Sequence, residues 1–366
     1  MIRSKLIKWL KWGLACCMLV PFLAWQAKDT SFQPTDTKGF IAEMQKQFAE
    51  VQTIKKKENH REELERKVRD THRMLMHDYP VYYDWWLQDG NDAKDIKDGK
   101  DVNWFRGSFS RQLSLRMQKL NITTAVNDTP ESIEAAFQSY LKACERRRAE
   151  RLETFTANQP EIVFTKFRTL RPSFFAYTEG VSDARAECNY FAGGSLSKIK
   201  MNGIWAEEET LLTDEDGVYR DPNLHFDGQH LLFSWKKSAK DDDFHLYEMD
   251  LKTRAVKQLT FGKGHADIEG IYLPDENILF NSTRSGSAVD CWFTEVSNMY
   301  LCDREGRYMR QVGFDQVHTT TPTLLDDGRV VYTRWDYNDR GQVWAQPLFQ
   351  MNPDGTGQAE YYGMNS

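Results

Sequence analysis

The chain has 366 residues, a formal charge of −6 and a hydrophobic fraction of 40%. This length allows two or three domains, and the apolar content is sufficient for a buried core, so the chain is globular. The acidic balance argues against nucleic acid as a partner and gives no support for binding to anionic lipid.

The first 27 residues have the pattern of an export signal. An uncharged apolar run extends from Gly13 to Ala27, and it follows four basic residues, Arg3, Lys5, Lys8 and Lys11. The run is short for a membrane span and contains Pro21, which favours a cleaved secretory signal. The alternative is an uncleaved inner-membrane anchor through residues 5–27. Either form predicts a periplasmic or secreted protein, and cleavage would take the formal charge from −6 to −10.

A polar linker is predicted at residues 28–38 and a helical domain at 39–155. Apolar residues recur at spacings of three and four from Phe40 to Leu75, which predicts one long amphipathic helix. A second helix is predicted from Pro130, because Thr129 can accept an N-cap hydrogen bond and proline fits the first turn of a helix.

Between these helices lies an aromatic cluster, Tyr82, Tyr83, Trp85 and Trp86. These side chains either pack the interior of the helical domain or stack on a flat ligand such as a sugar. The sequence leaves both interpretations open.

From residue 158 the pattern becomes strand-like and repeats four times. Apolar runs begin at 174, 231, 278 and 330, and a second and a third strand follow each run. The repeat length of about 50 residues is typical of a four-stranded propeller blade. We predict a mainly β fold with four blades, at 158–214, 215–262, 263–315 and 316–366. An arc of four blades with long loops leaves an open edge, so we expect an incomplete ring that further blades or a partner completes.

The loops that follow the apolar runs, at 179–195, 236–243, 284–297 and 335–346, and those between blades, at 214–221, 261–267 and 314–320, emerge on one face of a propeller. This mouth of the channel is the predicted binding site. The candidate residues are His265, Asp267, Asp290, Cys291, His318, Arg334, Asp336 and Arg340.

Three chemistries are open for these residues. Histidine, carboxylate and thiol groups from neighbouring blades could hold a metal, although no short metal-binding signature occurs. Arg334 and Arg340 could bind an anion, or they could pair with Asp336 and Asp339 and hold a long loop in shape. Cys291 could form a disulfide with Cys302, which would exclude its service as a metal ligand.

Long segments of the second half carry a resemblance. RDPNLHFDGQHLLFSWKK, DCWFTEVSNMYLCDREGR and TLLDDGRVVYTRWDYNDRGQ, among others between about 160 and 366, resemble the propeller of proteins related to the alpha subunit of hydrazine synthase. The looser D-L-x-T and Q-L-T pattern is also similar to the exported TolB-type propellers. The resemblance implies the fold and an exported location.

Hydrazine synthase uses c-type haems, which are attached through C-x-x-C-H, and this sequence contains no such motif. The cofactor therefore stays unassigned. The sequence favours a binding or scaffold module whose partner is a protein or a small polar ligand. The alternative is a subunit of a periplasmic redox enzyme whose haem part lies outside this chain.

Overall fold

The structure is a computed structural model, and it describes residues 36–90, 105–158, 161–168, 190–288, 295–335 and 346–363. Helices occupy the first part of the chain and antiparallel sheets the second. The predicted signal or anchor, residues 1–27, lies outside the described residues. Within the ranges given above, no helix is both long enough and apolar enough to cross a membrane.

The helical part is built around buried aromatic side chains. Tyr82, Tyr83, Trp85 and Trp86 are all at most 4% exposed, so they pack the interior and are not available to stack on a ligand. The helices are α1 (Thr37–Ile54), α2 (Arg61–Asp78), α3 (Pro80–Gly90), α4 (Phe109–Lys119) and α5 (Pro130–Asn158).

The prediction of one long helix from Phe40 to Leu75 is wrong, because α1 ends at Ile54 and α2 begins at Arg61. The connection contains Asn59 with φ 55°, a left-handed conformation that an α-helix cannot accommodate. The second predicted helix is confirmed as α5. Its N-cap hydrogen bond runs from the backbone N–H of Ser132 to the Thr129 hydroxyl, at 3.3 Å.

The strands form four antiparallel sheets in chain order. Blade 1 contains β1 (Glu161–Lys166), β2 (Gly194–Asn202) and β3 (Trp205–Asp214). Blade 2 contains β4 (Val218–Leu224), β5 (His230–Lys236), β6 (His245–Asp250) and β7 (Val256–Gln258). Blade 3 contains β8 (Asp267–Tyr272), β9 (Ile278–Ser282), β10 (Asn298–Cys302) and β11 (Arg310–Gln311). Blade 4 contains β12 (Thr319–Leu324), β13 (Val330–Arg334), β14 (Leu348–Met351) and β15 (Ala359–Tyr362).

Blades 2, 3 and 4 each have four strands, which are hydrogen-bonded in chain order. In the described part of blade 1, β1 pairs directly with β2 through six residue pairs, beginning with Glu161 and Lys200. The strand predicted at 174–178 lies outside the described residues.

The first strand of each blade faces the centre of the assembly. Contacts between sheets run from β1 to β4, from β4 to β8 and from β8 to β12. Apolar side chains fill the space between successive sheets, as where Leu232 and Leu246 of blade 2 pack with Ile278 and Phe280 of blade 3. Four antiparallel sheets packed face to face around their first strands define a β-propeller architecture, as the sequence predicted.

Candidate functional site at the mouth of the propeller

Two sets of loops meet at one edge of the blades, as expected for antiparallel four-stranded sheets. The Asp243 carboxylate, in the loop after β5, accepts a hydrogen bond from the backbone N–H of Gly264, in the loop between blades 2 and 3, at 2.7 Å. The backbone N–H of Trp335 donates to the His318 carbonyl at 3.0 Å in the equivalent part of blade 4. This edge is called the mouth face below, and its described loop residues include 237–244, 259–266, 283–288 and 312–318.

Four of the eight predicted site residues fall within the described part of the chain, and each lies at this edge. Asp267 is the first residue of β8, Arg334 is the last of β13, and His318 directly precedes β12. His265 lies in the loop before β8. The other four, Asp290, Cys291, Asp336 and Arg340, lie outside the described residues.

Asp267 is fully buried and bound by a guanidinium group. The Arg284 Nε and Nη2 atoms lie 3.0 Å and 2.7 Å from its two carboxylate oxygens, and the Ser282 hydroxyl donates to it at 2.7 Å. Burial alone would raise the pKa of Asp267. The nearby His245 ring, at 3.5 Å, and the hydrogen bonds and charge of Arg284 outweigh burial and hold that pKa below its usual value. Asp267 is therefore an ionised anchor for Arg284.

His265 packs against its own loop. Its Nε2 atom lies 3.3 Å from the Phe261 carbonyl oxygen, and its ring faces that of His245 at 6.0 Å. Gly262, with φ 136°, makes this position possible, since an added Cβ atom would lie 2.2 Å from the imidazole.

His318 is buried at 1% exposure and stacks on Trp335, with ring centroids 5.8 Å apart. Its Nδ1 atom accepts the backbone N–H of Ser297 at 3.1 Å, so the proton of the neutral ring lies on Nε2. Burial lowers the pKa of His318 to about 4. The ring is consequently neutral at physiological pH.

The Arg334 side chain contacts an aspartate and an aromatic ring that lie near it in the propeller. Its Nε atom lies 3.1 Å from the Asp315 carboxylate, and its guanidinium lies 4.8 Å from the centre of the Phe349 ring. Asp336 and Asp339, the aspartates with which the sequence could pair this arginine, lie outside the described residues, so both sequence interpretations stay predictions. Arg340, its predicted companion in an anion site, lies outside the described residues.

The described residues do not form a metal site at the mouth face. Among them, the one group of three His, Cys, Asp or Glu side chains with ligand atoms within 4.8 Å of one another is His225, Asp227 and His230, in the turn between β4 and β5. His265, Asp267 and His318 do not form such a group. A site that includes Cys291 stays a prediction, and so does its disulfide with Cys302, because Cys291 lies outside the described residues.

A second set of polar residues lies on the innermost strands, and the eight candidate residues predicted from the sequence do not include it. Asp221, Glu269 and Thr321 occupy the same position in β4, β8 and β12, and each has a positive φ, between 51° and 56°. The strand register shifts at all three positions. Each therefore forms a β-bulge in the innermost strand of its blade.

These bulges bind one another across the blades. The Asp221 carboxylate accepts the backbone N–H of Glu269 at 3.1 Å, and the Glu269 carboxylate accepts the backbone N–H of Thr321 at 2.6 Å. Arg220 contacts both acids, at 2.6 Å to Asp221 and 3.3 Å to Glu269. Burial, reinforced by the charge of Asp221, raises the pKa of Glu269 despite Arg220. These bulges have a sequence signal. The bulge residue is Asp, Glu or Thr, the next residue is Pro or Gly, and an aspartate of the following turn lies six residues after the bulge residue.

Aromatic side chains project from the mouth face. Phe261 and Phe314 occupy equivalent positions in consecutive inter-blade loops, three residues after the last residues of β7 and β11, and they are 63% and 75% exposed. Side chains of this size are usually buried in a monomer. Because both phenylalanines occupy the same position in consecutive loops, an exposed aromatic side chain is a repeated feature of the mouth face.

The fold and this mouth face define a propeller-type protein. No protein-family model matches the chain, and no curated protein matches it. Solved structures that match include hydrazine synthase from Kuenenia stuttgartiensis, with 16% identity, a TM-score of 0.44, and coverage of 56% of this chain and 32% of that chain.

Two further matches are proteins described as TolB. The Acinetobacter baumannii structure has 18% identity, a TM-score of 0.36, and coverage of 47% of this chain and 39% of that chain. The putative TolB from Agrobacterium tumefaciens has 18% identity, a TM-score of 0.36, and coverage of 46% and 60%. The chain thus spans less than two thirds of each of these three proteins.

Proposed function

We propose that this chain is an exported propeller module that binds a protein partner on its mouth face. The observation that carries the proposal is the exposure of Phe261 and Phe314 at equivalent positions of two consecutive inter-blade loops. Buried aromatic anchors dominate the affinity of protein interfaces, so aromatic side chains presented to solvent are suited to this role.

The polar residues of the mouth face support binding better than catalysis. Asp267 is held by Arg284, and Arg334 is paired with Asp315. These contacts fix the loops from which the phenylalanines project. A surface that is ordered before binding loses less conformational entropy when a partner docks.

Export is supported by the basic and apolar pattern of residues 1–27, and it would place the mouth face in the periplasm or outside the cell. The family resemblance of residues 160–366 is in keeping with such a location. Retention of residues 5–27 as an anchor would leave the propeller on the same side of the membrane.

The test is site-specific photo-crosslinking in the native host. A benzophenone amino acid replaces Phe261, Phe314 or, as the matched control, Phe226. Phe226 is also 63% exposed, but it lies in the β4–β5 turn at the opposite edge of blade 2. We expect one adduct of the same partner mass from positions 261 and 314 and none from position 226.

Adducts of equal yield from all three positions, or none from the mouth face, would contradict the proposal. Haem absorbance that copurifies with the intact protein would favour the redox-subunit alternative instead. A Phe261→Ser, Phe314→Ser double variant should abolish crosslinking from a third position on the mouth face while leaving the thermal midpoint unchanged.

A further inference from the structure

The turn between β4 and β5 brings two histidines and an aspartate together at the edge opposite the mouth face. Its sequence is HFDGQH, residues 225–230. The Asp227 Oδ1 atom accepts the backbone N–H groups of Gln229 and His230, at 2.7 Å and 3.1 Å. These two bonds fix the carboxylate and leave Oδ2 facing both imidazole rings.

The three side chains are spaced as metal ligands are. Asp227 Oδ2 lies 3.0 Å from His225 Nδ1 and 2.7 Å from His230 Nδ1. Ligand atoms around a tetrahedral zinc ion, each about 2.0–2.2 Å from the metal, lie about 3.3–3.5 Å apart. All three ligand atoms lie within 4.8 Å of one another, so side-chain movements of about 1 Å would bring them around an ion.

The His225 ring contacts both neighbouring carboxylates. Its Nε2 atom lies 3.1 Å from Glu276 Oε2. Its Nδ1 atom accepts the backbone N–H of Asp227 at 3.2 Å and lies 3.0 Å from Asp227 Oδ2. A cation placed between Nδ1 and Oδ2 would contact both atoms.

The electrostatics around the turn favour a cation. Asp227, Glu248 and Glu276 surround the guanidinium of Arg304, so three carboxylates face one permanent positive charge. Arg304 contacts Glu248 at 3.2 Å and Glu276 at 3.0 Å, and it stands further from Asp227, at 4.0 Å. Its charge is thus directed mainly at the two glutamates.

The carboxylate of Asp227 is ready to coordinate. Its slight burial opposes ionisation, but the backbone N–H groups of Gln229 and His230 and the two histidine side chains hold its pKa well below the usual value. Glu276 stands where a carboxylate orients a metal-bound histidine through its second ring nitrogen. Both His230 and Asp227 are partly exposed, at 29% and 33% of their side chains, so solvent reaches the site.

We propose that His225 and His230, through Nδ1, and Asp227, through Oδ2, bind a divalent transition-metal ion of the zinc type. Glu276 is the positioning residue for His225, and water takes the fourth ligand position. The site joins the turn of blade 2 to the Glu276 turn of blade 3.

The test uses the full chain without a polyhistidine tag, stripped with a chelator and titrated with zinc against a chromophoric competitor. His230→Gln, at the more exposed ligand, should weaken zinc binding at least tenfold. Glu276→Gln, which keeps an acceptor for His225, should weaken it about 10- to 100-fold. The control is His77→Gln, since His77 pairs with Asp78 at 2.7 Å in the helical part and has no third ligand.

Unchanged zinc affinity in His230→Gln would overturn the proposal, whatever other sites the chain contains. So would nitrogen-15 spectra in which the His225 ring is doubly protonated at neutral pH and zinc displaces no proton from it. His225→Ala, which removes a buried ring, is a second variant, and circular dichroism of each variant shows whether it is folded.

Discussion

The carboxylate of Asp221 accepts a hydrogen bond from the backbone N–H of Glu269, its counterpart one blade further on, at 3.1 Å. Glu269 repeats the contact toward Thr321 at 2.6 Å. All three residues are in the left-handed conformation, which non-glycine residues seldom adopt. The cost of that conformation is offset by hydrogen bonds that fix the position of each blade relative to the next.

Replacement of Glu269 should therefore loosen two blade interfaces. In Glu269→Ala the buried Arg220 loses one of its two acids and the N–H of Thr321 loses its acceptor, so we expect a loss of about 3–5 kcal/mol in the free energy of unfolding. Urea denaturation measures it. Glu269→Gln, which can still accept from Thr321, should lose less.

The matched control for this variant is Glu305→Ala. Glu305 pairs with Lys257 at the surface, where both side chains are about half exposed, and such pairs contribute little. Equal unfolding midpoints for Glu269→Ala and Glu305→Ala would show that the bulge contacts do not stabilise the propeller.

His318 should make the folded state sensitive to mild acid. Its pKa in the folded protein is about 4, below the ordinary histidine value of 6.5, so below pH 6.5 the unfolded chain takes up a proton that the folded chain excludes. Stability falls as the pH drops from 6.5 to about 4, by up to about 3 kcal/mol for this group. Below about pH 4 its contribution is lost.

The check compares unfolding free energies at about pH 7 and about pH 4.5 in the wild type and in His318→Gln. The variant should start from a lower stability, because the stack on Trp335 is lost, and should then change less with pH. His77→Gln, at an 88% exposed side chain, should keep the wild-type slope. The same pH dependence in His318→Gln and in the wild type would refute the assignment.

The outer strands were predictable from sequence because their apolar runs follow Asp-Gly or Asp-Glu turns, as in β5, β9 and β13. The innermost strands were not located. β8 is buried at every position yet contains Asp267 and Glu269, and Pro222 follows the bulge of β4. In a sequence, a carboxylate or a proline indicates a loop and not a buried strand. The bulge also interrupts the alternation of apolar and polar residues by which strands are recognised.

The mouth face followed from blade topology, but the contacts of its residues did not. Asp221 and Glu269 are 48 residues apart, and their partnership depends on how two sheets pack. The break after α1 also escaped prediction, because the apolar spacing continues past Asn59 and hides a single left-handed residue. Periodicity reports which residues are buried and says little about which polar groups meet.

The thiols of Cys144 and Cys302 should resist alkylation in the folded protein. Burial raises their pKa to about 11 and about 12, and both residues are at most 2% exposed. Iodoacetamide at neutral pH followed by peptide mass mapping should find both unmodified until urea is added. Labelling of Cys144 in the folded chain would contradict this. A Cys302 peptide crosslinked to Cys291 would instead establish the disulfide considered from the sequence.

The helical part should be stabilised by its contact with blade 1. Trp205, at the start of β3, lies 6.0 Å from the Trp85 ring, and the Arg148 guanidinium lies 5.6 Å from the Trp205 ring. Arg148 Nε also donates to the Ile204 carbonyl at 2.6 Å. The aromatic pair and the cation–π contact together should contribute about 2 kcal/mol.

Trp205→Ala should therefore lower the unfolding temperature of the helices, because it removes their aromatic and cation–π contacts with blade 1. Scanning calorimetry with circular dichroism at 222 nm would resolve a separate helical transition. Arg148→Ala should have a smaller effect in the same direction. Arg151→Ala, one turn along α5 at an exposed position bonded to the Arg147 carbonyl, is its control and should leave a single transition. If Trp205→Ala unfolds in a single transition at the wild-type temperature, the contact with Trp205 does not stabilise the helical part.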